Sequence, residues 1–452
     1  SCIEMKKQKF QFIKALSGCL VMLVYFVLIY ALMWKLPILQ NLELLMRRRA
    51  LIVISLLYCI ALYMLICLLE GMKIGQRRIL DLIFGFFFSS LCINVAVALI
   101  VLVFQVSLWK RLLLCVIILT AIQSVIGFRW IIWCHRIYER YQFRREAVFI
   151  YGNREDEGEY TRVNNTIHRY FTISRSIDFH EGTEHIFEQI KDSFVVFLGD
   201  IPVDVRNIIL KFCMKNKIEC YCIPKISDIY IQNSKVLQLN DKLLLRYPPL
   251  AIEGIHAVLK RMLDIIVALL MLICFSPIML VIAICVKKED GGKIFYYQDR
   301  VTLHGKPFQM CKFRSMREDA EKDGIQLAKK NDDRVTRIGK IIRNLHFDEL
   351  PQLIQVLKGD MSLVGPRPER QEYIDAYTQR IPEFKERLKV KSGLTGYAQV
   401  YGRYNSEPED KIKYDLYYIY NYSFWLDIKL LILTVRILFQ KENTEGFDPD
   451  IS

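Results

Sequence analysis

Several motifs that identify common classes of protein are missing from this chain of 452 residues. It contains 13 cysteines but no CxxC pair, and the CxC formed by Cys220 and Cys222 stands alone. No zinc-ligand spacing is therefore present, and we expect buried, reduced thiols. Gly152 follows a strand-like segment, as a dinucleotide-binding glycine would, yet the GxGxxG fingerprint is absent. Internal repeats and low-complexity tracts are also missing, which excludes a repeat architecture.

The composition combines strongly apolar segments with charged ones. The chain is 53% hydrophobic and 24% charged, with a formal net charge of +14. This combination is typical of apolar blocks connected to soluble ones. Much of the basic charge flanks the apolar runs, where lysines and arginines face anionic lipid. We therefore attribute the charge to a membrane and expect no nucleic-acid partner.

Four apolar blocks come first, at residues 15–34, 50–69, 82–109 and 112–128. At about 1.5 Å of rise per residue, 20 helical residues cover the roughly 30 Å hydrocarbon core of a bilayer. We predict a domain of four transmembrane helices over residues 1–145. The lysines and arginines favour both ends of this domain on the inside, although a basic cluster at 47–49 falls outside.

The next segment, residues 146–245, has the pattern of a small α/β domain. Strand-like segments at 147–151, 171–179, 194–198 and 218–223 surround a helical segment at 205–215. Strands that alternate with helices indicate a parallel sheet. We predict a Rossmann-like cytoplasmic domain without dinucleotide binding, structural or regulatory in role, followed by a linker at 246–256.

A fifth apolar run, residues 265–286, contains Ser276-Pro277 near its middle. Proline removes one helical hydrogen bond and kinks or breaks the helix. Hydropathy alone leaves two readings open, a kinked fifth transmembrane span or a re-entrant segment that enters and leaves on one face. An amphipathic stretch at 425–439 follows much later, and residues 441–452 form a tail.

Two adjacent carboxylates, Asp348 and Glu349, precede Pro351 in a pattern that predicts a helix start, with Gly359 as its end. Asp348 is the expected N-cap. A helix N-terminus carries partial positive charge, so it attracts phosphate and keeps a carboxylate ionised. Adjacent helical side chains diverge by about 100°, which suits two different tasks. One acid could attack phosphorus while the other holds Mg²⁺.

Cations accompany these acids. Arg367 is held between two prolines, and Lys312 and Arg314 flank an aromatic residue after a strand-like segment. Arg343 precedes Asp348 by five residues, and a glycine-rich run ends at Arg403. Each of these features alone is compatible with an ordinary strand or turn. Together they provide the charge neutralisation and positioning that phosphoryl transfer requires.

These residues carry a resemblance to a known family. Residues 257–440 resemble the catalytic domain of the monotopic phosphoglycosyl transferases, the bacterial sugar transferase family. The matching motifs are Ser276-Pro277, Gln298-x-Arg300, Lys312-Phe313-Arg314-Ser315-Met316, Asp348-Glu349-Leu350-Pro351-Gln352, Lys358-Gly359-Asp360-Met361-Ser362-Leu363-Val364-Gly365-Pro366-Arg367-Pro368 and Gly393-Leu394-Thr395-Gly396. The whole chain is similar to the large subgroup, polyprenyl-phosphate hexose-1-phosphate transferases of exopolysaccharide or capsule assembly.

The resemblance implies a mechanism. Asp348 corresponds to the nucleophile that attacks the β-phosphorus of a UDP-sugar and releases UMP, after which polyprenyl phosphate attacks the phosphoryl aspartate. Glu349 corresponds to the ligand of Mg²⁺, for which Mn²⁺ can substitute. Ser276 and Pro277 correspond to the break of the re-entrant helix. The residues implied to hold phosphate or uridine are Lys312, Arg314, Arg343 and Arg367, with Arg300 and Arg403 as further anion contacts.

The resemblance also implies a topology, because UDP-sugars are cytosolic. Four spans return the chain to the inside, and a fifth would place Asp348 outside. We therefore expect residues 260–287 to re-enter. The expected fold is an α+β membrane protein of a bacterial inner membrane, with four transmembrane helices, a Rossmann-like domain and a monotopic catalytic domain with amphipathic interfacial helices. A homodimer through the N-terminal domains, and glucose or galactose as the sugar, are further expectations.

Two other readings differ in function. A membrane-anchored regulator of polysaccharide export would have lost catalysis, but the intact acid pair disfavours it. The polytopic class of phosphoglycosyl transferases has about ten spans, twice the number of apolar blocks here. Three sites depart from the family's pattern: Thr302 replaces a usual glycine, Ser392 replaces a frequent proline, and Leu345-His346-Phe347 stand where Thr-Ser-Leu is common.

Overall fold

The computed structural model describes residues 2–34, 44–74, 79–104, 106–141, 145–152, 171–247, 252–317, 334–402 and 407–437. The chain divides into two compact units, Ser1–Ile223 and Pro224–Ser452. The second unit therefore begins before the linker that the sequence predicts at 246–256. Of that linker, residues 248–251 lie outside the described ranges.

In the described part of the first unit, long apolar helices precede the first strand, as the sequence predicts. They are α1 (Cys2–Trp34), α2 (Leu44–Leu68), α3 (Ile79–Phe104) and α4 (Trp109–Tyr141). The third apolar block is divided by a short 3₁₀ turn at Val106–Leu108, so Trp109 belongs to α4. All four helices are long and apolar enough to cross a bilayer. In lipid a helix satisfies its own backbone groups, which is why such sequences become helices.

A buried polar network joins three of these helices. The Tyr58 hydroxyl of α2 donates to Asn94 Oδ1 of α3 at 2.6 Å. Asn94 Nδ2 in turn lies 2.9 Å from both Thr120 Oγ1 and Gln123 Oε1 of α4. Gln123 Nε2 closes the network on the Tyr58 hydroxyl at 2.8 Å. Each of these four side chains has a partner, so the network fixes how the helices pack without leaving any of its own members unpaired.

The remainder of the first unit is a parallel sheet in the order β2-β1-β3-β4. Its elements are β1 (Arg145–Tyr151), β2 (Phe171–Asp178), α5 (Thr183–Ile190), β3 (Val195–Leu198), α6 (Val203–Lys215) and β4 (Glu219–Cys222). Val148 and Ile150 share one core with α5 and α6, while Ala147 and Phe149 belong to a second core. The side chains of β1 are thus covered on both faces of the sheet, and β1 pairs with β2 on one side and with β3 on the other.

Gly152, the glycine after β1, has a packing role. A Cβ at this position would lie 2.4 Å from the carbonyl oxygen of Asp200. Only glycine fits at this position, so packing alone accounts for the residue.

The second unit has more and shorter elements. Its first part contains α7 (Ile226–Gln232), the exposed hairpin of β5 (Lys235–Leu239) and β6 (Lys242–Arg246), α8 (Ile255–Asp290), and the hairpin of β7 (Phe295–Val301) and β8 (Pro307–Phe313). Its second part contains α9 (Arg337–Asn344), α10 (Gln352–Lys358), β9 (Ser362–Val364), α11 (Gln371–Arg380), β10 (Gly393–Thr395), α12 (Tyr397–Tyr401), α13 (Pro408–Tyr420) and α14 (Phe424–Ile437). One core unites α8, α10, β9, α13 and α14.

Helix α8 carries Ser276-Pro277, where the sequence predicts a break. The helix instead continues through Pro277 and has 36 residues in total. Proline has no N–H to donate to the carbonyl four residues earlier, that of Ile273. Ser276 Oγ donates to this carbonyl at 3.0 Å, so the lost hydrogen bond is replaced locally.

The acid pair lies in a 3₁₀ turn, Phe347–Glu349, that precedes α10. The sequence predicts Asp348 as the N-cap of the helix, and this prediction is wrong. Instead His346 starts the turn with a left-handed backbone, φ +54°, and Pro351 caps α10. Gly359 ends α10 with φ +94°, as expected. A 3₁₀ turn has three residues per turn, so the two acids diverge by about 120° and face different surroundings.

Candidate active site

One face of the β7–β8 hairpin supplies two cations. Arg300 pairs with Phe308, Gln298 with Met310, and Tyr296 with Lys312. Since side chains alternate along a strand, Arg300 and Lys312 lie on the same face. Arg300 donates to Gln298 Oε1 through Nε at 3.0 Å and Nη2 at 2.6 Å, which orients its guanidinium and explains the Gln-x-Arg spacing.

A third cation, Arg367, is presented by the proline-bounded turn after β9. Gly365 in this turn touches Gly393 so closely that a Cβ on Gly393 would lie 2.1 Å from Gly365 N. The carbonyl of Arg367 accepts a hydrogen bond at 2.9 Å from Nη2 of buried Arg387. Arg387 Nη2 also lies 2.9 Å from the carboxylate of buried Asp415. These contacts hold the backbone that carries Arg367.

Glu349 is where the cations converge. Its Oε1 accepts from Lys312 Nζ at 2.7 Å and from Arg367 Nη2 at 3.0 Å. Burial by itself would raise the pKa of Glu349, but the charges of Lys312 and Arg367 outweigh burial and hold this pKa well below its usual range. Glu349 is therefore a carboxylate at all physiological pH values.

Asp348 has a different environment. Its side chain is buried, and burial raises the pKa of Asp348, opposed in part by Lys312. The neighbouring Glu349 charge raises it further, while Arg343 lowers it. The two acids thus have pKa values shifted in opposite directions, which is the usual sign of separate chemical roles.

A small cleft opens in front of these groups, with about 250 Å³ of empty space. Glu349 lines it and Asp348 does not. The lining residues are Arg300, Met310, Lys312, Glu349, Gln352, Arg367, Pro368, Gly393 and Leu394.

The structure does not bring every predicted cation into the cleft. Arg314 forms an ion pair with Asp290 at the end of α8 and is not among the lining residues. Arg343 donates from Nε to Ser315 Oγ at 2.8 Å and acts on Asp348 only through its charge. Arg403 lies outside the described residues.

Sequence reasoning missed several partners. Glu369 accepts from Arg300 at 3.4 Å and lies 3.9 Å from Arg387. Gln352, which the motif contains without an assigned role, lines the cleft. No local spacing indicates these contacts. The Glu369 position follows a proline-rich turn whose path only the fold determines.

The donor set can be tested for a hard metal ion. Among the described residues, no group of three or more His, Cys, Asp or Glu side chains could hold a metal alone. Mg²⁺ typically binds one or two carboxylates together with substrate phosphates. Ionised Glu349, beside cations suited to phosphate, fits that mode of binding.

Comparisons with known proteins identify relatives of this chain. The profile of the bacterial sugar transferase family matches residues 255–441. A UDP-N-acetylgalactosamine-undecaprenyl-phosphate N-acetylgalactosaminephosphotransferase of Aeromonas hydrophila is 40% identical over 229 residues, 50% of this chain and 53% of that protein. A UDP-glucose:undecaprenyl-phosphate glucose-1-phosphate transferase of Klebsiella pneumoniae is 41% identical over 218 residues, 47% of each chain. The chain thus spans about half the length of these two relatives.

A shorter relative is matched nearly throughout. The uncharacterized sugar transferase EpsL of Bacillus subtilis (strain 168) is 43% identical over 188 residues, which are 42% of this chain and 91% of that protein. The acid pair, the cleft and Arg367 all lie in the part of the chain that the family profile covers. By this similarity the chain belongs to the bacterial sugar transferase family.

Proposed function

We propose that this protein transfers a hexose-1-phosphate from a UDP-sugar to polyprenyl phosphate, with release of UMP, at the cytoplasmic face of a bacterial inner membrane. The observation that carries the proposal is the convergence of Lys312 and Arg367 on Glu349 in one small cleft, with buried Asp348 as the preceding residue in the same turn. The names of the Aeromonas and Klebsiella relatives support the same class of reaction. The product would begin exopolysaccharide, capsule or O-antigen assembly.

Asp348 acts as the nucleophile. A carboxylate oxygen attacks the β-phosphorus of the donor, a P–O bond forms, and the bond from that phosphorus to the bridging oxygen breaks. UMP leaves with the bridging oxygen. An oxygen of polyprenyl phosphate then attacks the same phosphorus, and the bond to Asp348 breaks. Neither step needs a net proton transfer. Lys312, Arg367 and Arg300 neutralise the phosphate oxygens, because cations that are already held in position stabilise developing charge without reorganisation.

Glu349 is the residue that would hold Mg²⁺ or Mn²⁺ together with the donor's phosphates. A bound divalent ion supplies charge neutralisation on the phosphoryl oxygens. The chain's own part is to keep Glu349 ionised, which Lys312 and Arg367 ensure.

We further propose that α1 to α4 cross the membrane, that the parallel-sheet domain is Rossmann-like, and that α8 re-enters. Both ends of α8 contact the same compact unit. Near its start, Lys260 Nζ donates to Asp427 Oδ2 at 2.7 Å, and near its end Glu289 Oε1 accepts from Ile338 N at 3.2 Å. A straight crossing would carry those ends to opposite sides of a roughly 30 Å core. The exposed apolar side chains between them, such as Ile273 and Leu280, face lipid if the helix bends back.

A nucleotide-release assay tests the function. The full chain in lipid nanodiscs is given polyprenyl phosphate, Mg²⁺ and, in turn, UDP-glucose, UDP-galactose and UDP-N-acetylgalactosamine. We expect one donor to release UMP and to yield a lipid-linked sugar diphosphate. Release of UDP would show glycosyl transfer instead and would contradict the proposal. Binding of donors without any nucleotide release would favour the inactive regulator.

A further inference from the structure

Gln352 lines the cleft, and the nitrogen of its side-chain amide is buried. It is the first residue of α10, and its side chain is 2% exposed. Within the described residues, its Nε2 has no hydrogen-bond acceptor. A buried, unpaired donor costs the folded protein its lost hydration, so native proteins rarely retain one without a use.

A second glutamine on the same helix provides a comparison. Gln355 lies three residues later and uses both ends of its amide. Its Oε1 accepts from the Cys311 backbone N–H at 3.0 Å, and its Nε2 donates to the Gln309 carbonyl. Gln355 thus attaches α10 to β8. The Gln352 amide nitrogen, by contrast, has no acceptor among the described residues.

The neighbours of Gln352 indicate which kind of acceptor its amide could bind. The cleft it lines also contains Lys312, Arg367 and Arg300, all of which attract anionic oxygen. Glu349, one turn before Gln352, is already engaged through Oε1 by two cations. A neutral N–H donor beside three cations suits an oxygen of a phosphoryl group, which accepts several hydrogen bonds at once.

We propose that the Gln352 side-chain amide donates to an oxygen of the phosphoryl group that is transferred, in the bound donor and more strongly in the transition state. This inference rests on the proposed function. It makes Gln352 a substrate-contacting residue whose missing hydrogen bond is supplied only when the donor binds.

Two matched variants test the inference, Gln352→Met and Gln355→Met, in the full chain in nanodiscs. Methionine keeps the length of glutamine and removes the amide. For Gln352→Met we expect UMP release at saturating donor to fall about 100- to 1,000-fold, as on loss of one oxyanion donor. Its ligand-free unfolding midpoint should not fall, because no native hydrogen bond of Nε2 is lost. Gln355→Met should lower that midpoint, because two backbone groups lose their partner.

A further readout separates the two proposals. We measure how far the UDP-sugar raises the unfolding midpoint, and expect a smaller rise in Gln352→Met than in the wild type. If the wild type releases no UMP but shows this rise, and Gln352→Met loses it, the proposed function fails and the Gln352 contact stands. Two results would overturn the Gln352 proposal while the function stands. One is wild-type turnover in Gln352→Met, and the other is a fall in its ligand-free unfolding midpoint as large as that of Gln355→Met.

Discussion

The backbone N–H of Ser392 donates to Thr302 Oγ1 at 3.1 Å, in a buried position. These are two of the sites that depart from the family's usual glycine and proline. A proline at 392 would have no N–H to donate, and a glycine at 302 would have no hydroxyl to accept. The two departures therefore compensate each other. Thr302 Oγ1 also donates to the Asp360 carbonyl at 3.1 Å, which connects β7 to the end of α10.

We expect this pair to be coupled in stability. Thr302→Gly alone leaves the Ser392 N–H buried without an acceptor, so it should destabilise the protein by more than it does in a Ser392→Pro background. A double-mutant cycle of unfolding free energies should give a coupling of about 1 kcal/mol. Additive effects of the two substitutions would show that the hydrogen bond contributes nothing measurable.

Substitutions of Asp348 and of Glu349 should have different effects on the kinetics. We expect Asp348→Asn to abolish UMP release, because an amide cannot form the phosphoryl intermediate. Glu349→Gln should slow turnover strongly while still allowing a phosphoryl adduct to form. Mass spectrometry of the protein incubated with donor and no polyprenyl phosphate should find the adduct on Asp348 in the wild type. Near wild-type UMP release by Asp348→Asn would remove this residue as the nucleophile.

The raised pKa of Asp348 should appear in the pH dependence of turnover. The nucleophile must be ionised, so activity should fall as pH falls through this pKa, at a pH above the ordinary aspartate range. Lys312 lowers the pKa of Asp348, so Lys312→Met should move the acid limb of kcat/KM to higher pH. Arg343→Met, which removes a weaker influence of the same sign, should move it less. A shift of the limb to lower pH in Lys312→Met would contradict the assignment.

Activity should require a hard divalent ion. Oxygen ligands and phosphates select Mg²⁺ or Mn²⁺, and a carboxylate without thiolates does not select zinc. Excess EDTA should therefore stop UMP release, and added Mg²⁺ or Mn²⁺ should restore it where Zn²⁺ does not. Glu349→Gln should raise the Mg²⁺ concentration needed for half-maximal activity. Full activity in EDTA would refute a metal requirement.

The re-entry of α8 can be tested by labelling. Lys260 itself is buried against Asp427, so we choose the exposed positions Glu253 and Lys293 on either side of the helix. Each is changed to cysteine in a chain without native cysteines, with Lys35→Cys as a control for the predicted outer loop. In intact cells an impermeant thiol reagent should label 35 and spare both 253 and 293. Labelling of 293 alone would show that α8 crosses the membrane.

Ser276 and Pro277 lie near the middle of α8. Ser276 Oγ meets the Ile273 carbonyl that Pro277 leaves without a donor. Replacing Ser276 with Ala and Pro277 with Leu would restore a regular backbone pattern, which should stiffen the helix. The helix therefore continues where the sequence predicts a break.

The sequence by itself indicated most of the secondary-structure elements and the family. Long uncharged runs can only become helices in lipid, and alternating apolar segments specified the strands from β1 to β4 within a few residues. The run from Asp348 to Pro368 carried the family, because its acids, prolines and glycines are set by local backbone demands. None of these conclusions required knowing which distant segments meet.

Only the tertiary structure decided which cations serve the cleft. Lys312 and Arg314 are two residues apart and indistinguishable by spacing, yet Lys312 meets Glu349 while Arg314 meets Asp290. The difference arises because the end of α8 brings Asp290 to Arg314, whereas the 3₁₀ turn brings Glu349 to Lys312. Local patterns specify the face of a strand, but the partner that arrives at this face depends on contacts between residues far apart in the chain.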